Sequence, residues 1–161
     1  VGAANNNDTL FEKTRRFTLQ VLDCESLDAI DGVLADTLID DFAADYARCF
    51  VSHPCAFESG RHLIYASSAA ELPLLHLTQT TSLSCGMLRT DELQTLFGDV
   101  VSGDGSAGLV RLKHGDLIGV LAIGSNDPTR FSPDMGTLFI RYIGDVLSRV
   151  LARLLASNDD R

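Results

Sequence analysis

The sequence predicts an α+β domain in which a central, mainly antiparallel sheet carries the N- and C-terminal helices on one face. Three observations lead to this fold class. Apolar residues with helical spacing open and close the chain, short strand patterns lie between them, and residues 107–125 have the pattern of a β-hairpin. The length of 161 residues, with 45% hydrophobic and 22% charged residues, fits one ordinary globular domain.

The first helix is predicted from a capping box, Thr9-Leu10-Phe11-Glu12, in which the Thr hydroxyl and the Glu carboxylate each bond a free backbone amide. Apolar residues follow with helical spacing to about Asp23. The chain has no initiator Met and no signal peptide, so we expect residues 1–25 to be the end of a longer helical or coiled-coil segment. Residues 26–161 are then the globular domain.

A second helix is predicted to begin after Ser26, because serine is a preferred N-cap residue. Its expected apolar face consists of Leu27, Ile30, Leu34, Leu38 and Phe42. The opposite face is acidic, and residues 23–45 contain eight acids and no base. This run indicates either a docking surface for a basic partner or metal, or a solvated helix face, and the second interpretation is favoured.

The middle of the chain contains shorter patterns that are typical of strands and short helices. The expected elements are strands Tyr46–Val51 and His62–Ala66, a short helix Ala69–Leu77, an unassigned polar segment Thr78–Ser84, a helix Asp91–Phe97 capped by Thr90, and a mobile loop at Gly103-Asp104-Gly105.

The clearest strand signal is the hairpin Ala107–Ser125, with a tight turn at His114-Gly115-Asp116. Its second half, Leu117–Ile123, is apolar without alternation. Such a strand is covered on both faces, so we expect it to be central in the sheet.

The last helix is predicted over Pro133–Ala156, with Ser132 as its N-cap and proline at its first position. Its apolar stripe is wider than one face of a small sheet requires. The surplus indicates packing on the first helix, on a second subunit, or on both, and an entirely intramolecular core is the alternative. A homodimer is therefore predicted, held by Leu10, Phe17, Val146, Val150 and Leu154.

Composition excludes several classes of partner. With 13 basic and 22 acidic residues the net charge is −9, which repels phosphate backbones and disfavours direct nucleic-acid binding. The longest apolar run is too short to span a bilayer. Cys24, Cys49, Cys55 and Cys85 lack CxxC spacing, which is typical of reduced thiols and predicts a cytoplasmic protein.

The segment from Gly119 to Thr137 resembles the signature of a bacterial family of unknown function, DUF484. The matching residues include Gly124, Ser125, Asp127, Arg130, Phe131, Met135, Gly136 and Thr137, together with Cys85-Gly86-Met87-Leu88, Leu96-Phe97-Gly98 and the opening stretch Asn7–Lys13. The resemblance covers nearly the whole chain. It implies a single GAF domain, of profilin-like fold, preceded by a helical segment, and it implies no biochemical activity.

Arg130 lies between a turn at Asp127-Pro128 and the predicted cap of the last helix. One interpretation is structural: the guanidinium pins the loop by pairing with Asp127, Asp134 or a backbone carbonyl. The alternative is that it holds an anion at the N-terminus of the helix. The structural interpretation is favoured.

No motif of a known enzyme class is present. The sequence lacks GxGxxG, Walker A, HExxH and GxSxG patterns. Cys49-x-x-x-His53-x-Cys55 offers too few ligands for structural zinc. We therefore expect no enzyme, cofactor or metal.

The function predicted from these observations is a non-catalytic GAF-like sensor or interaction module that dimerises and binds an unknown small molecule or protein partner. A ligand pocket is expected between the sheet and the segment Leu63–Phe97, lined by Tyr65, Cys85, Arg89 and Arg111. The alternative is a thiol redox enzyme or sensor, similar to GAF proteins that reduce methionine sulfoxide. Its nucleophile would be Cys85, activated by the nearby Arg89 and resolved by Cys49 or Cys55. A buried, inert Cys85 is the simpler expectation.

Overall fold

The computed structural model describes residues 2–74, 83–132 and 138–159. The α+β class is confirmed, because these residues form a five-stranded mixed sheet and four α-helices. The elements are α1 (Gly2–Leu22), α2 (Leu27–Val33), a π-helical segment (Leu34–Ile39), β1 (Tyr46–Ser52), β2 (Leu63–Tyr65), a 3₁₀ turn (Ala69–Glu71), β3 (Leu83–Leu88), α3 (Thr90–Phe97), β4 (Gly105–His114), β5 (Leu117–Ser125) and α4 (Leu138–Asp159).

The predicted start of the first helix is wrong, whereas its end and the next cap are confirmed. Thr9 lies inside α1, which continues upstream through the asparagines at residues 5–7 despite their low helix propensity. The helix ends at Leu22. Ser26 caps α2 as expected, since its Oγ accepts the backbone amide of Ala29 at 3.2 Å.

The sheet has the strand order β2-β1-β5-β4-β3. Only the β1–β2 pair is parallel among the pairings of the described strands. Strand β5 is central, as predicted, and Val120 pairs with Phe50 on one side and with Arg111 on the other. Gly115 has φ +59° in the hairpin turn, a conformation that glycine adopts readily.

Corrections are needed around β3 and α3. Residues Leu83 and Ser84, which the sequence left unassigned, begin β3, an edge strand paired with β4. Arg89, not Thr90, occupies the N-cap position of α3. The amide and hydroxyl of Thr90 both donate to Asp104 Oδ1 at 2.7 Å, and Gly105 already belongs to β4.

Parts of the other predictions fall outside the described residues. Of the short helix expected over Ala69–Leu77, the structure describes a 3₁₀ turn at Ala69–Glu71 and the residues up to Leu74. Residues 75–82, and the first helical turn expected after Ser132, lie outside the described chain.

The core has two layers, one on each face of the sheet. The larger layer joins α1, α2, the π-helical segment and α4, and includes Phe17, Leu34 and Leu147. The smaller layer packs α3 against the other face. Leu121 and Val120, adjacent in β5, belong to the larger and the smaller layer respectively, because side chains alternate along a strand. Both terminal helices therefore lie on one face, as expected.

Candidate functional site

The four residues predicted to line a ligand pocket do not come together. Tyr65 lies on edge strand β2, whereas Cys85 lies on β3 at the opposite edge. Four strand spacings of about 4.8 Å separate these edges by about 19 Å. Cys85 pairs with Gly108, and Arg111 is three residues further along β4, so the two side chains point to opposite faces. The structure does not bring these residues together, because the sequence pattern does not indicate β3 or the face of the sheet to which Cys85 belongs.

Each of these residues has its own surroundings. The Tyr65 ring meets Phe57 edge to face at 5.2 Å. Arg89 is exposed, and its Nε lies 3.7 Å from Asp91 Oδ1 and 3.5 Å from Glu92 Oε1. The Nε of Arg111 is buried without a hydrogen-bond partner in the described chain. Of the four, Arg111 is the side chain with an unmet buried donor, an arrangement that calls for an explanation.

Burial disfavours the reactive thiolate form of Cys85 and Cys49. Burial raises the pKa of Cys85, which is half-buried, and complete burial raises the pKa of Cys49 much further. A resolving pair requires two sulfur atoms in contact, yet Cys85 on β3 and Cys49 on β1 are three strand spacings apart, about 14 Å.

Among the described side chains, no three of His, Cys, Asp and Glu are grouped as metal ligands.

The segment after β5 is held by a compact hydrogen-bond network. The carboxylate of Asp127 accepts the Thr129 amide at 2.9 Å and its hydroxyl at 2.8 Å. These two bonds hold the pKa of Asp127 below its ordinary value. The Ser106 hydroxyl donates to the Asp127 carbonyl at 2.6 Å and accepts the Phe131 amide at 3.0 Å. The turn predicted at Asp127-Pro128 is therefore present and fastened to β4.

Arg130 joins this segment to the helical layer. Its Nη2 donates to the carbonyl oxygen of Phe42 at 2.6 Å, and its guanidinium lies 5.0 Å from the centre of the Phe131 ring. A backbone carbonyl was one of the three predicted acceptors, so the geometry agrees with the structural interpretation. Asp134, Met135, Gly136 and Thr137 lie outside the described residues.

Most of the predicted dimer residues are buried within one chain. Phe17, Val150 and Leu154 are 0, 3 and 8% exposed. Leu10 and Val146 are half-buried against the same core. The wide stripe of α4 is thus largely used inside the chain. Sequence reasoning assigned to a partner the helix face that the core occupies.

A different set of apolar side chains is exposed beside them. These are Phe11 (67% exposed), Leu19 (45%), Leu138 (79%) and Tyr142 (50%). They surround a groove of about 610 Å³ between α1 and α4, whose lining also includes Leu10 and Phe139. The sequence does contain a signal for this surface. Phe11 and Leu19 are apolar, but they lie beside the core-facing stripe of α1 rather than within it.

The groove is apolar even where threonines line it. The hydroxyl of Thr14 donates to the Leu10 carbonyl at 2.8 Å, and that of Thr18 donates to the Thr14 carbonyl at 2.9 Å. Because both threonine hydroxyls donate to backbone carbonyls within α1, neither has a hydrogen left to donate to a ligand. A contiguous exposed apolar surface of this kind is typical of a protein-binding site.

Comparison with known protein families gives a match over nearly the whole chain. The family model described as "Protein of unknown function, DUF484" matches residues 1–156. A search of curated proteins finds no match. No helix in the described part of the chain combines the length and the apolar character needed to cross a membrane.

Proposed function

The chain belongs to the DUF484 family, whose description assigns no function, and we propose that it is a non-catalytic, GAF-like module that forms a homodimer. The observation that carries this proposal is the exposed apolar groove between α1 and α4. The GAF-like assignment is supported by a mainly antiparallel sheet with helices at both ends of the chain on one face.

A second copy of the chain fits this groove for geometric reasons. In a two-fold dimer the same surface serves both partners, so it must offer both a projection and a recess. Phe11 and Leu138 project from the rim, and the groove between the helices supplies the recess. Each copy can therefore insert its rim residues into the other.

The charges along α1 favour the same arrangement. Glu12 and Arg15 are both well exposed and lie 4.0 Å apart on neighbouring turns, and Arg15 also lines the groove. If two α1 helices pack antiparallel about an axis between residues 13 and 14, Glu12 of each copy faces Arg15 of the other. Such pairing contributes more to register than to affinity.

Light scattering on the chromatographed protein tests the dimer. At tens of micromolar we expect a mass of twice 17.4 kDa for the wild type and a single 17.4 kDa for Phe11→Glu. Met87→Glu is the matched control, because Met87 is also exposed (72%) but lies on edge strand β3. A monomeric wild type, or a control that dissociates as readily as Phe11→Glu, contradicts the proposal. Both variants replace exposed side chains, so each monomer should fold. Loss of the dimer should lower the melting temperature of Phe11→Glu at high protein concentration, whereas Met87→Glu should melt like the wild type.

A small-molecule ligand is the second part of the proposed function. It is supported by Arg111, whose buried Nε has no partner in the described chain and lies on the α3 side of the sheet. A buried unsatisfied donor costs about 1–3 kcal/mol, which an anionic ligand offsets. Melting curves against a metabolite library test this, because a ligand at 100 times its Kd stabilises the fold by about 2.7 kcal/mol. A hit that stabilises Arg111→Met equally contradicts the role of Arg111.

The remaining parts of the proposal concern chemistry and location. The raised pKa of Cys85 argues for a non-catalytic protein and against the redox alternative. Titration of thiol reactivity against pH separates the two functions, because a thiol redox enzyme requires a thiol that reacts fully well below pH 8.

Four free cysteines are consistent with a reducing, cytoplasmic location. A net charge of −9 argues against direct nucleic-acid binding.

A further inference from the structure

A second cavity lies at the edge of the sheet, away from the α1–α4 groove. Strand β2 pairs only with Cys49–Val51, so the first half of β1 has no strand neighbour on that side. A cavity of about 210 Å³ occupies this place. Its lining includes Tyr46, Arg48, Arg61, His62, Phe97 and Val100.

The two arginines of this cavity lack acidic partners. Within residues 2–74, 83–132 and 138–159, no carboxylate oxygen lies within 4.0 Å of the guanidinium of Arg48 or Arg61. This is notable in a chain with 22 acidic and 13 basic residues. Two unpaired guanidinium groups beside one concave surface favour an anion there.

Arg48 is held in place by α3. Its Nη1 donates to the Leu96 carbonyl oxygen at 3.3 Å, at the C-terminal end of that helix. Its Nη2 lies beside Gly98, where a Cβ atom would stand 3.6 Å away. Gly98 has φ +88°, which favours glycine, so no side chain covers the guanidinium at this position. Nη2 therefore remains available as a donor.

His62 is also held with a defined ring orientation. Its Nδ1 lies 2.7 Å from the Ala47 carbonyl oxygen, so Nδ1 carries the proton and donates it. Its backbone amide donates to Asp31 Oδ1 at 2.7 Å. The ring and the backbone of His62 are both held by hydrogen bonds, and Nε2, the acceptor nitrogen of this tautomer, is left to accept a further hydrogen bond.

One carboxylate, that of Asp45, belongs to the cavity lining, and it is engaged elsewhere. Its Oδ2 accepts the Asn126 amide at 2.7 Å and the Ser125 hydroxyl at 3.3 Å. These bonds direct it toward the end of β5 and reduce its repulsion of an anion. On the apolar side, the rings of Tyr46 and Phe97 are stacked with centres 5.1 Å apart.

We propose that this cavity binds a small phosphate ester. Arg48 and Arg61 contact the phosphate oxygens, His62 Nε2 accepts a hydrogen bond from a hydroxyl group of the ligand, and the stacked rings of Tyr46 and Phe97 border the organic part of the ligand. Guanidinium groups match the geometry of phosphate oxygens and remain charged at all relevant pH values. This site is separate from the dimer groove and from Arg111, so it does not rest on the proposed function.

Melting temperatures in inorganic phosphate and in phenyl phosphate, at constant ionic strength, test the proposal. We expect both anions to stabilise the wild type, with phenyl phosphate acting at lower concentration because its ring lies against the stacked pair. Arg61→Gln should weaken the apparent affinity by about tenfold or more. Arg61 is exposed, so this variant should keep the wild-type melting temperature without phosphate.

Two controls make the result decisive. Lys113→Gln removes an exposed cation on β4 and should respond to phosphate like the wild type. Phe11→Glu, altered only in the dimer groove, should also respond normally. No stabilisation of the wild type, or an undiminished response of Arg61→Gln, overturns the proposal. Equal affinity for the two anions would remove the part assigned to Tyr46 and Phe97.

Discussion

Replacing Arg130 by alanine removes the link between the segment after β5 and the helical layer. The lost interactions are the bond from Nη2 to the Phe42 carbonyl, 2.6 Å long, and the contact with the Phe131 ring at 5.0 Å. A hydrogen bond from a charged donor contributes about 1.5–3 kcal/mol, and a cation–π contact contributes about 0.5–1 kcal/mol at exposed sites. Because Arg130 is only half-buried, we expect a total loss of about 2–3 kcal/mol.

The assay is thermal unfolding. For a domain of this size, 1 kcal/mol shifts the melting temperature by about 2–4 °C, so Arg130→Ala should melt about 4–12 °C lower. Arg141→Ala, which removes an exposed arginine of α4, should change it by about 2 °C at most. The measurement is repeated across phosphate concentrations at constant ionic strength. A loss below 1 °C, or curves for Arg130→Ala and wild type that converge when phosphate is withdrawn, would refute the structural role.

Three further predictions follow from the packing and the titration of single groups. Gly119→Ala should destabilise the fold by about 3 kcal/mol in chemical denaturation, because the new Cβ atom would collide with the Phe50 carbonyl oxygen. Gly32→Ala should not destabilise it, because no atom lies within 4 Å of the new Cβ position, and equal effects of the two variants would contradict the assigned packing of β5. A thiol reagent added to the native protein should label Cys55 long before Cys49, because Cys49 is fully buried and its pKa is raised. Mass spectrometry locates the label, and early labelling of Cys49 would show that β1 is exposed. Asp127→Asn should be less stable than the wild type at pH 7, and the difference in stability should shrink below about pH 4. A carboxyl whose pKa is lowered in the folded state stabilises the fold above its unfolded pKa, and this stabilisation is lost as the pH falls through the folded pKa. A stability difference that stays constant down to pH 2 would exclude this titration.

The strongest periodic patterns predicted the fold well. Leu117–Ile123 was recognised as a central strand because an apolar run without alternation requires cover on both faces. Ser26 was recognised as a cap because its hydroxyl has a local backbone partner. These signals lie within a few neighbouring residues, so a single sequence contains them.

The site was harder to predict because it depends on distant contacts. The sequence pattern predicts one pocket for Cys85 and Arg111, whereas the register of β3 places them on opposite faces of the sheet. Likewise, Arg48 has no acidic partner among the described residues because of where α3 and β2 lie, and no sequence pattern predicts that these elements lie beside Arg48. Helical spacing showed that α1 and α4 have apolar faces, but not which face the core would take, and Phe17 proved to be inside.

The packing of α1 on α4 also bears on the order of folding. The β4–β5 hairpin closes over Gly115 and Asp116, whereas α1 and α4 meet only after the chain between residues 22 and 138 has been brought together. Closing a long loop costs more entropy than closing a short one, and non-local contacts slow folding. We therefore expect the hairpin to form early and α1 to dock late. In a dimer whose α1 helices lie side by side, a late-docking α1 can dock on the α4 of the other copy, so exchange of this helix between subunits is the domain swap this topology favours.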